Sequence, residues 1–174
     1  MDLTIKLKEL DKAGDNEAIK NILSQELKRN ARNLELLDFW MTYMEDYDII
    51  QKYAKDYIGL IYEHQDEFPE AYQARLYALL GTLTEVYDSP QIAWETLVEG
   101  LVRFPNSSEI IEKIESIFSC PSDAPEPSDW MEILGKLVAQ GEFPKDTFEY
   151  LLLICDDPEF PELFDLAKKN AFGQ

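Results

Sequence analysis

Residues 68–105 read FPEAYQARLYALLGTLTEVYDSPQIAWETLVEGLVRFP, and the reading of this stretch decides the fold. Two apolar patterns of helical period flank Asp88-Ser89-Pro90. Ser89 can accept hydrogen bonds from the free amides of a helix start, and Pro90 brings a preset φ to the first helical position. Phe68-Pro69 and Phe104-Pro105 bracket the segment, because proline cannot continue a helix. The stretch therefore predicts an antiparallel helix pair.

The spacing inside the pair is specific about packing. Gly81 and Ala93 are small enough to let two helices approach, and Tyr77, Leu80 and Leu97 fill the space around that contact. Together with the closing Pro105 these positions fall at the spacings of a tetratricopeptide repeat, with Thr84 departing from the pattern at its second aromatic position. Upstream, Trp40, Tyr43, Met44 and Tyr47 match the first half of such a unit, and Tyr57, Ile61 and Pro69 match the second half with one residue inserted. The offset from Trp40 to Tyr77 is 37 residues and that from Pro69 to Pro105 is 36, close to one period. The segment 34–107 thus resembles a degenerate tetratricopeptide-like helical repeat, with a weaker echo over 128–161 at Met131, Leu134, Gly135 and Val138. The resemblance implies a short α-solenoid that binds ligands in a groove lined by the first helix of each pair. Carried onto this chain, the groove presents Asp38, Met41 and Glu45 from one unit and Arg75, Ala78, Thr82 and Glu85 from the next. Glu99, on the second helix of the later unit, joins them as a candidate acidic contact. The groove lacks the cluster of Lys and Arg with which some relatives clamp a carboxylate terminus.

The rest of the chain follows the same helical logic. Leu3 to Leu10 suggests a short helix stopped at Gly14, and Asp15 caps a second helix from Asn16 to Arg29 with Ile19, Ile22, Leu23 and Leu27 on one stripe. Asn33 starts a helix that runs to Tyr47, and Asp48 is expected to cap its partner. Ser107-Ser108-Glu109 opens a helix with Ile110, Ile114 and Ile117 on one face. Three prolines between Pro121 and Ser128 make an extended connector. Beyond it come helices ending at Gly141, running on from Pro144, and spanning about Pro161 to Asn170. The expected organisation is N-terminal helices in 1–33, repeats in 34–119, a connector in 120–128 and a C-terminal helical group in 129–174 packed on the same domain. Period-two runs are nearly absent, so the fold class is all-α.

Composition bounds the function. Hydrophobic residues make up 45% of the chain, enough for a core, and no run approaches the roughly 18 apolar residues of a membrane span. Cys120 and Cys155, the two cysteines, have no neighbours at metal-binding spacing and fit a reduced, cytoplasmic setting. Net charge is -19, unevenly spread. Residues 1–33 hold seven basic and six acidic residues, or +1, so residues 34–174 hold nine and 29, or -20. Such a field repels nucleic acid and anionic membranes and attracts a basic protein surface.

Catalytic signatures are missing from the sequence. The single histidine, His64, lies beside Glu63, Asp66 and Glu67 and is expected on a solvated helix face. Two cysteines and one histidine supply no familiar metal pattern, and no phosphate loop, dinucleotide glycine motif or nucleophile elbow occurs. The chain is therefore expected to need no cofactor or metal and to act as a protein-binding module rather than an enzyme. It would be a small acidic cytosolic inhibitor of immunity type, or a dedicated chaperone, that covers a basic surface of its partner. A polyanionic mimic of nucleic acid is the alternative, since from Asp56 to Gly135 only Arg75, Arg103 and Lys113 interrupt sixteen acids. An enzyme built on a carboxylate and His64 is the more distant one.

Overall fold

In the computed structural model, residues 3–119 and 128–154 are described. They form α1 (Leu3–Ala13), α2 (Asn16–Arg29), α3 (Leu34–Tyr43), α4 (Tyr47–His64), a 3-10 turn (Gln65–Glu67), α5 (Glu70–Tyr87), α6 (Pro90–Arg103), α7 (Ser108–Phe118), α8 (Ser128–Gln140) and α9 (Lys145–Ile154). No strand occurs among the described residues, so the chain is all-α. Cys120, Cys155, most of the proline-rich connector and the helix expected over 161–170 lie outside them.

Short polar side chains set most helix starts. Asp15, Asn33, Ser89 and Ser107 each accept the backbone N–H three residues on, at 3.2, 3.2, 3.3 and 3.3 Å. Gly14 and Gly141 follow α1 and α8 with φ of 70° and 77°, the left-handed region that suits a residue without Cβ. One start differs from the sequence expectation. Asp46, not Asp48, caps α4, its Oδ1 accepting from the N–H groups of Asp48 and Ile49 at 2.9 and 3.5 Å. Asp48 then sits in the first turn, where a carboxylate suits the helix dipole. Tyr47 consequently opens α4 instead of closing α3, and its ring is exposed.

Helices pack on neighbours one or two places away in the chain. Backbones approach closely between α1 and both α2 and α3, between α2 and both α3 and α4, and between α4 and α5. Beyond α5 the partners are α5 with α6 and α7, α6 with α7 and α8, and α9 with α7 and α8. The most extensive of these contacts is α5 on α6. A Cβ built on Gly81 would stand 2.5 Å from Leu97 Cδ2, and one on Gly100 would stand 2.8 Å from Tyr77 Cβ, so the missing side chains are what allow the approach. Thr84, the departure from the repeat pattern, is buried and satisfies its hydroxyl on the Leu80 carbonyl at 2.7 Å. A larger aromatic there would have to find room in the same close-packed core.

Two apolar cores meet at α5. Leu76, Leu80 and Leu83 join the first, which takes in Leu7, Leu23, Leu37, Trp40, Tyr57 and Phe68 from the preceding elements. Tyr77, with Ala74 and Ala78 against it, joins the second, which holds Trp94, Leu97, Ile114, Leu134, Phe148 and Leu151 from α6 to α9. The α3 and α4 backbones stand further apart than those of α5 and α6, because the Trp40 ring lies between them, 5.6 Å from Tyr57 and 6.1 Å from Phe68.

Glycine substitutions separate contact from propensity. Gly81→Leu and Gly100→Leu should each cost about 1–3 kcal/mol by overpacking. Gly59, inside α4 with no atom within 4 Å of its built Cβ, should behave oppositely, and Gly59→Ala should stabilise by about 0.5–1 kcal/mol. Urea unfolding midpoints of the three variants check this, and an unchanged midpoint for both Gly81 and Gly100 variants would mean the α5–α6 seam is not tight.

Candidate protein-binding face

Side chains that reach across the odd-numbered helices define a candidate face. The Tyr72 hydroxyl on α5 donates to Asp38 on α3. Arg75, one turn further along α5, places its guanidinium 5.7 Å from the centre of the Tyr72 ring, a cation–π contact. Glu109, in the first turn of α7, feels the Arg75 charge. Its carboxyl is held below the usual range first by its own backbone N–H, then by the Ser107 and Ser108 hydroxyls, with Arg75 adding to the effect. The bond to Asp38 raises the Tyr72 phenol, with desolvation acting in the same direction. Asp38 and Arg75, read from separate repeat units, therefore share one surface through Tyr72. Sequence reasoning missed Tyr72, although it stands three residues before Arg75 on the same helix face.

The other candidates divide. Ala78 is half-buried against the second core, and the half-buried Thr82 turns its hydroxyl back to the Ala78 carbonyl at 3.2 Å. Glu85 is paired with Lys113 of α7, with side chains 26% and 17% exposed, so its charge is engaged between helices. Glu45 is exposed in the turn between α3 and α4. Glu99 stands on the α5–α6 seam, where it accepts from the Tyr77 hydroxyl at 3.2 Å. Met41 is a correction: only 8% exposed, it belongs to the first core, because α3 buries Leu37, Trp40, Met41 and Met44 over a broad arc and leaves little of the thioether for a ligand.

His64 is a second correction. Its side chain is 11% exposed, with Nδ1 3.2 Å from Glu67 Oε1 and Nε2 3.7 Å from Glu63 Oε2. Both residues are themselves tied to the end of α2 and the turn after it: Lys28 pairs with the Glu63 carboxylate at 2.7 Å, and Arg32 Nε donates to the backbone carbonyl of Glu67 at 3.3 Å. The ring is closed in because α4 ends on it and the chain turns back through the 3-10 segment.

Cations are unevenly used. Lys20 bridges Glu17 and Asp56 at 3.3 and 3.2 Å, Lys52 reaches Glu17 at 3.8 Å, and Lys28 holds Glu63, so these three lysines are engaged on the α2–α4 seam. Between α1 and α3 an open groove of about 810 Å³ is lined by Asp11, Glu35, Asp38 and Asp46, with Lys8 as its single cation and Ile5 and Phe39 as its apolar part. Among the described residues no group of three or more His, Cys, Asp or Glu is placed to hold a metal ion, and no helix is long and apolar enough to cross a membrane. Compared with protein-family models, with curated proteins and with solved structures, the chain has no match in any of the three.

The Lys113–Glu85 pair gives a test of what holds α7 on α5. It is too shielded for the near-zero value of exposed pairs and too wet for the 3–5 kcal/mol of a fully buried one, so Lys113→Ala should cost about 1–2 kcal/mol. A double-mutant cycle with Glu85→Ala, followed by urea unfolding, should return a coupling of that sign; zero coupling would place the pair among ornamental surface contacts.

Proposed function

We propose that the chain works by stoichiometric protein binding, as a short tetratricopeptide-like α-solenoid whose acidic first-helix face covers a basic surface of one partner. An inhibitor of immunity type and a dedicated chaperone both act in this way. Support for the solenoid comes from the order of helix contacts, in which every close pair lies one or two places apart along the chain, and from the glycines at the α5–α6 seam. The observation that carries the binding reading is the division of charge. Lys20, Lys28 and Lys52 are engaged on the α2–α4 seam while Glu35 and Asp38 of α3 and Glu45 of the turn after it remain exposed, in a chain of net charge -19. An acidic surface of this kind steers a basic protein by long-range attraction and fixes its orientation.

Isolation of a complex of fixed stoichiometry from the native cells, followed by binding kinetics with the purified partner, tests the reading. Association should slow markedly between about 50 and 500 mM salt, as the Debye length falls from roughly 14 Å to 4 Å, while dissociation changes less. Glu35→Lys combined with Glu45→Lys should weaken association more than Glu142→Lys combined with Glu149→Lys. An association rate indifferent to salt, or equal losses from the two pairs, would reduce the acidity to a solubility device.

A further inference from the structure

The groove between α1 and α3 brings two features together. One is unneutralised acid: Asp11 on α1, Glu35 and Asp38 on α3, and Asp46 just beyond it, against Lys8 alone. The other is apolar area open to solvent. Ile5 is 52% exposed, and Phe39 is half-buried with its ring stacked on Tyr43 at 5.8 Å, so a hydrophobic strip runs along an acidic rim. Several of the groups are fixed in advance. Tyr43 donates to Asn16 at 3.1 Å, Asp38 receives the Tyr72 hydroxyl, and Asp46 is held by the amides it caps. A preset wall limits the ordering that binding must impose.

The lining residues recur at helical spacing on both walls, Ile5, Lys8 and Asp11 on one and Glu35, Asp38 and Thr42 on the other, with Asp46 just past the end of the second. Successive contacts thus rise by about one helical turn, roughly 5.4 Å. A helix laid in the groove presents its own side chains at i, i+3, i+4 and i+7 with the same rise, which is the register needed for Lys or Arg to meet the acids and for an apolar stripe to cover Ile5 and Phe39. From this geometry we infer that the α1–α3 groove is the docking site for a basic amphipathic helix of the partner protein. The inference rests on the protein-binding reading above and adds the place and the chemical class of the segment bound. It also assigns α1, from the near-neutral head of the chain, to the binding surface.

The test uses the full chain and a fluorescein-labelled synthetic peptide of 14 residues, designed as a helix with a Leu stripe flanked by Lys. Two control peptides replace every Leu by Ser or every Lys by Glu. Fluorescence anisotropy should show binding of the Lys/Leu peptide and at least about tenfold weaker binding of both controls. Asp11→Lys combined with Glu35→Lys should weaken it about tenfold or more, and Ile5→Ser about threefold to tenfold. Glu142→Lys combined with Glu149→Lys, in the α8–α9 hairpin, should leave it within about twofold. Thermal melting of each variant establishes that it is folded. Amide shifts on adding the peptide should centre on Thr4, Ile5, Lys8, Phe39 and Thr42. Equal binding of the Lys/Ser peptide, equal losses from the remote pair, or no peptide binding at all would overturn the inference. If the native partner still binds the Asp11/Glu35 variant unchanged, the groove fails while the protein-binding reading stands. If no partner of fixed stoichiometry exists, that reading fails on its own evidence.

Discussion

The absence of two side chains organises this molecule. With no Cβ at Gly81 or Gly100, α6 lies so close on α5 that Leu97 and Tyr77 occupy the space those atoms would take. Close approach on one flank leaves the other flank of α5 free to receive α4, and the helix can serve two cores at once, Leu76, Leu80 and Leu83 on one and Tyr77 on the other. The C-terminal helices depend on this arrangement at one remove. Among the described residues α8 and α9 pack on α6, α7 and each other, so whatever holds α6 to α5 also joins them to the N-terminal half.

The first helix pair solves the same problem with the opposite material. Trp40 and Tyr57 fill the gap between α3 and α4, and both are fully buried. Large rings supply more apolar area per residue than the glycine seam, yet they carry polar atoms with them. Trp40 Nε1 and the Tyr57 hydroxyl have no hydrogen-bond partner among the described residues, and burial pushes the Tyr57 phenol well above its usual range. Each unpaired group opposes folding by a desolvation cost of about 1–3 kcal/mol, offset by the burial of about 150–250 Å² that an aromatic side chain contributes. The two helix pairs therefore use two packing strategies, one by subtraction and one by filling.

Helix starts were legible because they are local: a Ser, Asn or Asp before an apolar run needs only the next three residues to act. The exception arises where Asp46 and Asp48 stand two residues apart and the expectation falls on Asp48, whereas the turn at Met44 and Glu45 sets Asp46 facing the free amides. Gly81 was legible from the repeat spacing, whereas Gly100 was not, since its reason is the Tyr77 ring across the seam. The binding face was read less completely. The resemblance places Met41 at the surface and acidic neighbours place His64 there, yet both are withdrawn from solvent by the fold: α3 turns a wide arc inward, and α4 ends on a tight 3-10 turn. Tyr72, which links Asp38 to Arg75, stands 34 positions from Asp38, a distance that no local pattern spans.

Net charge says how strong the field is, and ion pairing says where it points. A lysine held between two carboxylates, as Lys20 is between Glu17 and Asp56, contributes little to the field beyond its own seam, because the pair is seen from a distance as nearly neutral. The α2–α4 seam gathers Lys20, Lys28 and Lys52 in this way, and Lys113 is similarly closed against Glu85. Subtracting such pairs does not change the sum of -19, but it removes the positive charges that would otherwise break up the acidic surface elsewhere. What is left on α3 and the turn after it is a run of acids, Glu35, Asp38, Glu45 and Asp46, carried on a helix whose inner arc is fixed in the first core. Folding thus sorts charge as well as hydrophobicity: the same packing that commits Trp40 and Met41 to the interior sets a rigid acidic edge at the entrance to the groove beside α1.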